Sequence, residues 1–205
     1  VNYSIHGIDV SHHQAVINWA DVKDMKDKDI KIGFAFIKAT EGLSNVDNAY
    51  RRNWFKAKEA KLPRGAYHFF ISSKSGKAQA ENFLETVPLQ KGDLYPVLDV
   101  EETYGTPPDV LQQRVADWLL AVEKVFHVKP IIYTNAQFYK IFLSGRFDEY
   151  PLWVAHYLAE HRPRIERNWH FWQHNESAHV NGIGHAVDFN VFNGDSTAFN
   201  KLILR

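Results

Sequence analysis

Two carboxylates spaced two residues apart, Asp99 and Glu101, close the apolar run Leu94-Tyr95-Pro96-Val97-Leu98-Asp99-Val100-Glu101. Side chains alternate faces along an extended chain, so these acids project together while Leu98 and Val100 point the other way. A carboxyl group beside another carboxylate keeps its proton to higher pH, because ionising both costs Coulomb energy. A general acid working near neutrality needs that property. Glycoside hydrolysis is the reaction that most often uses such a pair. Further candidates end other apolar runs: Asp9, Lys38, Tyr133 and Asp188, the last in Ala186-Val187-Asp188-Phe189-Asn190-Val191-Phe192, where Ala186, Asp188 and Asn190 share a face. Any one of these acids alone reads equally well as a turn or cap residue; their recurrence at strand ends argues for chemistry. Tyr67, Phe69, Tyr133, Trp153, Tyr157, Phe171 and Trp172 crowd the same strand ends, beside the amides of Gln173 and Asn190. Sugars present apolar C–H faces and hydroxyl rims, so such a cleft suits an oligosaccharide. Alternation nevertheless turns about half of these rings toward the core.

The elements that must position these residues form a regular series. Strand-like runs at Ile5–Val10, Ile32–Ile37, Ala66–Phe70, Leu94–Glu101 and Pro130–Thr134 alternate with helix-like stretches from Asn18, over Asp47–Ala60, Ser75–Thr86 and Asp109–Phe126. Asp9, Lys38, His68, Asp99 and Tyr133 are separated by 29, 30, 31 and 34 residues, the length of a βαβ unit, which predicts parallel strands. Beyond Tyr133, Trp153, Trp172 and Asp188 follow at 20, 19 and 16 residues, too close for full crossover helices. The fold class read from this rhythm is α/β. A barrel of reduced helix content is favoured over an open sheet, since the polar residues gather at the strand ends where a barrel builds its site.

Composition narrows the function classes. The 205 residues carry 24 Lys plus Arg against 24 Asp plus Glu, so no net basic field exists to attract nucleic acid or an anionic membrane. No apolar stretch has the length of a membrane span, and no secretory leader is recognisable. The absence of cysteine removes disulfides, thiolate metal sites and a cysteine nucleophile. Neither the adjacent His12 and His13 nor the pair His156 and His161 has metal-ligand spacing, and no HExxH, GxSxG or dinucleotide fingerprint is present. No metal or cofactor is expected.

With these residues in view, the chain resembles glycoside hydrolase family 25, the Chalaropsis-type lysozymes or N-acetylmuramidases. The resemblance rests on Gly7-Ile8-Asp9-Val10-Ser11, Phe36-Ile37-Lys38-Ala39-Thr40-Glu41-Gly42, Gly65-Ala66-Tyr67-His68-Phe69, Leu98-Asp99-Val100-Glu101, Ile132-Tyr133-Thr134-Asn135, Leu152-Trp153-Val154-Ala155-His156-Tyr157, Trp172-Gln173 and Val187-Asp188-Phe189-Asn190. It implies a single catalytic domain over residues 1–205, a (β/α)5(β)3 TIM-like barrel, and hydrolysis of the β-1,4 bond between N-acetylmuramic acid and N-acetylglucosamine in peptidoglycan. Carried over by position, Glu101 is the acid and base. Asp99 orients the substrate acetamido group for internal attack or stabilises the oxocarbenium ion, and Asp9 and Asp188 complete an acidic floor. Lys38, Glu41, Tyr67, Tyr133, Trp153, Gln173 and Asn190 are the expected sugar-binding residues. The expected partner is the peptidoglycan glycan strand, met by a monomer outside the cell or in its envelope. A leader is expected to be missing from this chain, which begins at Val1 and carries no cell-wall-binding repeats. Two readings compete: a chitinase-like hexosaminidase using the same Asp-x-Glu pair, and a glycan-binding protein that has lost turnover.

Overall fold

The computed structural model describes residues 3–26 and 30–205. Along the chain the strands are β1 (His6–Val10), β2 (Ile32–Glu41), β3 (Asn45–Val46), β4 (Arg64–Phe69), β5 (Val97–Asp99), β6 (Ile131–Asn135), β7 (Leu152–Ala155), β8 (Phe171–Ala178) and β9 (Val187–Phe192). The helices are α1 (Trp19–Asp24), α2 (Tyr50–Glu59), α3 (Gly76–Thr86), α4 (Pro108–Phe126), α5 (Ala136–Phe138), which runs into a π turn over Tyr139–Leu143, and α6 (Ser196–Asn200). The sheet runs β1-β9-β8-β7-β6-β5-β4-β2, and β1 pairs with β2 to close it into an eight-stranded barrel, with β3 clipped onto the end of β2. Five strands precede helices and three follow almost without them, the (β/α)5(β)3 order expected from the sequence.

Local chemistry explains most boundaries. Asn18 caps α1 by accepting from the N–H groups of Ala20 and Asp21, Ser75 caps α3, and Pro108 opens α4, where its missing N–H costs nothing. Helix α2 starts three residues later than Asp47, because the Asp47 carboxylate is committed to a turn, accepting from Ala49 N–H and from His12. β5 is shorter than the apolar run around it. Tyr95 donates instead to Leu202, and Pro96 has no N–H to give to a ladder.

One departure concerns direction. β9 is antiparallel to both neighbours, β8 and β1, while every other barrel pairing is parallel. Asp188 therefore lies at the start of its strand rather than at its C-terminal end, and still reaches the same rim, directly opposite Asp9.

Alternation sorts the side chains into two cores. Outward-facing Ile8, Val10, Leu98, Val100, Val154 and Trp172 pack with helix residues such as Trp19, Trp54, Phe83 and Trp118. Inside the barrel, Phe34, Phe36, Trp153, Phe171 and Phe192 fill the axis, and Phe199 of α6 plugs the end away from the rim. Phe36 stacks on Trp153 with centroids 4.3 Å apart. Gly7 and Gly65 leave room for this aromatic column: a Cβ at either would lie 2.4 Å from the Phe34 ring or 2.6 Å from the Phe36 ring. The column is a floor, and polar residues two positions further along each strand stand on it.

Candidate active site

Those polar residues line a recess of about 230 Å³ at the barrel mouth, formed by Asp9, Lys38, Tyr67, Asp99, Glu101, Tyr133, Gln173 and Asp188 over Trp153. Each reaches it by the period-2 rule: Lys38 follows Phe36, Asp99 follows Val97, Tyr133 follows Ile131 and Gln173 follows Phe171. Glu101 obeys the same alternation although β5 has ended. Val100 N–H still donates to Tyr133 C=O at 2.9 Å, and Glu101 lies one residue past that bond, half-buried at the mouth.

Beneath the mouth, a directed hydrogen-bond network fixes the charge. Trp153 Nε1–H donates to Asn190 Oδ1 at 2.7 Å, and Asn190 Nδ2 donates to Asp9 Oδ2 at 2.7 Å. Tyr133 and Tyr157 both donate to Gln173 Oε1, at 2.7 and 2.6 Å, and Gln173 Nε2 donates to the same Asp9 oxygen at 2.8 Å. Both amides are oriented by their neighbours and present N–H to Asp9, which makes Asp9 the place where negative charge is held. Asp188 stands in register with Asp9 across the β1–β9 pair, and burial followed by the Asp9 charge pushes its carboxyl up to about 8. Asp9 is itself raised by burial, against the lowering effect of Asn190, Gln173 and Asp188. The pair thus shares a proton near neutrality, and the two amide donors to Asp9 favour leaving the charge there and the proton on Asp188.

Asp99 is buried, and its carboxyl is raised well above the usual range by burial first, then by Glu101, while Lys38 opposes the shift. Its Oδ1 is buried and has no hydrogen-bond partner among the described residues, while the residue itself lines the recess. Glu101 is raised by burial, then by Glu102 and Asp9, and lowered by Lys38.

Two of the expected sugar-binding residues do not line the recess. Asn190 lies fully buried below it and acts on Asp9. Glu41 stands outside and holds Lys38 in an ion pair of 2.6 Å. Trp153 is 1% exposed, so it supports the site from beneath. Conversely, Ser11, His13, Gln14 and Phe69 line the recess. Ser11 and Gln14 form a capping box around the short turn His12–Gln14, and Gln14 also donates to Ala186 C=O at 3.0 Å. The Ser-x-x-Gln spacing was the available signal for that turn. His12 does not face the recess; its Nδ1 lies 2.7 Å from buried Asp47. Among the described residues no three His, Cys, Asp or Glu side chains are grouped as metal ligands.

Residues 8–183 match Glycosyl hydrolases family 25. The chain belongs to that family. As a family 25 member it is a glycoside hydrolase, and its relatives agree along the chain. It is 50% identical to the Escherichia coli K12 protein designated "Uncharacterized protein YegX", over 94% of this chain and 71% of that one. It is 33% identical to Lysozyme M1 of Streptomyces globisporus, over 94% of this chain and 69% of that protein. The solved structure of a family 25 glycosyl hydrolase from Bacillus anthracis superposes with a TM-score of 0.89 at 31% identity, covering 97% of this chain and 93% of the other. Asp188 and Asn190 lie beyond the end of the family match, and their place beside Asp9 rests on the barrel geometry described above.

Proposed function

We propose that this family 25 hydrolase is a muramidase with Glu101 as its acid and base. It cleaves the β-1,4 bond between N-acetylmuramic acid and N-acetylglucosamine in peptidoglycan, outside the cell or within its envelope. The observation that carries the residue assignment is the pairing of a half-buried, proton-retaining Glu101 with a buried Asp99 in the lining of one recess. Glu101 gives its proton to the glycosidic oxygen as the C1–O bond breaks. The acetamido carbonyl oxygen of the same sugar attacks C1, closing an oxazolinium ring, and the Asp99 carboxyl accepts from the acetamido N–H whose nitrogen gains positive charge. Water then adds to C1 as Glu101 recovers a proton from it, and the ring reopens. The Asp9–Asp188 pair keeps a negative charge below the developing cation, and Tyr67, Tyr133 and Lys38 meet the sugar hydroxyls. No helix among the described residues is long and apolar enough to cross a membrane.

The test is mass spectrometry of reduced fragments from purified peptidoglycan, with Glu101→Gln run in parallel. Muramic acid at the reducing end, and a loss of about 10²–10⁴ in turnover for a folded Glu101→Gln protein, are expected. N-acetylglucosamine at the reducing end would overturn the bond assignment, and near-native turnover of the variant would overturn the role of Glu101. Cleavage of plain chitin oligomers at an equal rate would favour the broader hexosaminidase reading.

A further inference from the structure

On the outer wall of the barrel, apart from the carboxylates, residues 162–169 of the loop between β7 and β8 line a cavity of about 780 Å³. Its lining includes Lys140 from the π turn and Arg162, Arg164 and Arg167 from the loop, with Glu166 as the one acid. Arg167 is occupied by the fold. Its guanidinium donates to the carbonyls of Phe147, Tyr150 and Asn168 and lies 3.8 Å from Asp148. Lys140, Arg162 and Arg164 differ: all three are exposed, and no carboxylate among the described residues comes within ion-pair distance of them. In a chain whose formal net charge is zero, three uncompensated cations around one concavity are a local excess.

The cavity has a fixed base. Trp169 packs edge-on against Trp172 and Tyr3, Asn193 Nδ2 donates to Trp169 C=O at 3.0 Å, and Arg164 N–H meets His156 Nδ1 at 3.2 Å. The loop that carries the cations is also rooted in the catalytic network, through Tyr157 and its bond to Gln173. Guanidinium forks match the two oxygens of a carboxylate or phosphate, whereas an uncharged sugar hydroxyl gains little from them.

We propose that this cavity is a second, non-catalytic site for oxyanions borne by the cell wall, which anchors the enzyme on insoluble substrate while the mouth of the barrel cuts. The inference rests on the peptidoglycan reading above. The shared chemistry is a pair of anionic oxygens, supplied by the carboxylates of wall peptides or by phosphodiesters of attached polymers. Holding one polymer network at two sites raises the effective concentration at each, with no new contact in the recess.

The experiment compares Glu101→Gln with the same protein carrying Lys140→Ser, Arg162→Ser and Arg164→Ser, in sedimentation with intact sacculi. Turnover of soluble, peptide-free glycan oligomers is measured in the Glu101-intact versions. Expected are about tenfold weaker sacculus binding by the triple variant at low salt, convergence of the two proteins near 1 M salt, where the screening length is about 3 Å, and unchanged soluble turnover. Sacculi whose peptide carboxylates have been amidated, and sacculi stripped of phosphodiesters, identify the source: the treatment that removes the difference between the proteins removes the ligand, and a difference that survives both treatments overturns the proposal. Equal binding of both proteins to intact sacculi at low salt overturns the proposal. Should the triple variant lose soluble turnover as well, Arg162→Glu alone decides by the same comparison, equal binding again being the overturning result. Absence of soluble turnover in the unaltered enzyme would instead sink the substrate assignment.

Discussion

Lys38 is the cation that opposes proton retention by both Asp99 and Glu101, and it is itself half-neutralised by Glu41. Hydrolysis should fail on the alkaline side as Glu101 ionises. Lys38→Met is expected to move that limb to higher pH, and Glu41→Gln, which leaves Lys38 uncompensated, to lower pH. A kcat–pH series on soluble oligomers reads both; limbs that coincide with the parent would remove Lys38 from the electrostatics of the site. The carboxyl pair makes a second contrast. Asn at position 188 still offers a donor to Asp9, an N–H in place of the O–H of the protonated acid, so Asp188→Asn should remain folded and active within about tenfold, since the charge on Asp9 is kept. Asp9→Asn faces two amide donors with a group that is no longer an anion, and should cost about 1–3 kcal/mol of stability together with most activity. Thermal melts and turnover of the two variants separate these outcomes, and equal damage would contradict a proton residing on Asp188. The pair also sets a slope with pH. Asp188 releases its proton at about 8 in the fold against 3.8 in the unfolded chain, so its contribution is whole below about 3.8 and drains away as pH rises toward 8. His68 and His174, held neutral by burial down to about 3 and about 4, act in the opposite sense, and their contribution is lost as pH falls below 6.5. The Tm of Asp188→Asn relative to the parent should therefore climb as pH rises from about 4 to 8, and a difference that stays flat across that range would contradict the raised Asp188.

At the scale of elements, the aromatic column decides how high the functional side chains stand. Gly7→Ala would drive a methyl group into the Phe34 ring, and overpacking of this kind costs about 1–3 kcal/mol; a melt indistinguishable from the parent would show that the column can give way. Period-2 alternation is also why so much of the site was readable beforehand. Asp99, Glu101, Lys38, Tyr133 and Asp188 all sit on runs whose apolar partners fix which face is inside, and the βαβ spacing sets strand order. What escaped was information carried between segments. The reversed direction of β9 has no local signature, because an alternating strand reads the same from either end. Nor does sequence tell a recess-lining residue from one a layer below: Asn190 and Asp188 share a face, but only the depth of the barrel places Asn190 under Asp9 and out of reach. Likewise Asp47 looked like a helix start until His12, 35 residues away, claimed its carboxylate.

At the scale of the whole molecule, charge is sorted rather than absent: acids converge at one end of the barrel axis, and uncompensated cations gather on its outer wall. The site is also assembled from the two most distant strands of the barrel. Asp9 receives Asn190 across 181 positions of sequence and faces Asp188 in register, so its environment exists only after β9 has slotted between β8 and β1. Contacts of such separation form late, because the intervening chain must first surrender its freedom. Refolding followed by both tryptophan fluorescence and turnover should show activity returning no earlier than the slowest phase. Activity appearing in an earlier phase would mean that the acid pair is dispensable. The enzyme is thereby silent through most of its own making: a ribosome-bound or proteolytically shortened chain that has not delivered its last strand lacks Asn190 and Asp188, and Asp9 stands without the partners that hold its charge in place. Delivery of the last strand is the first condition for turnover.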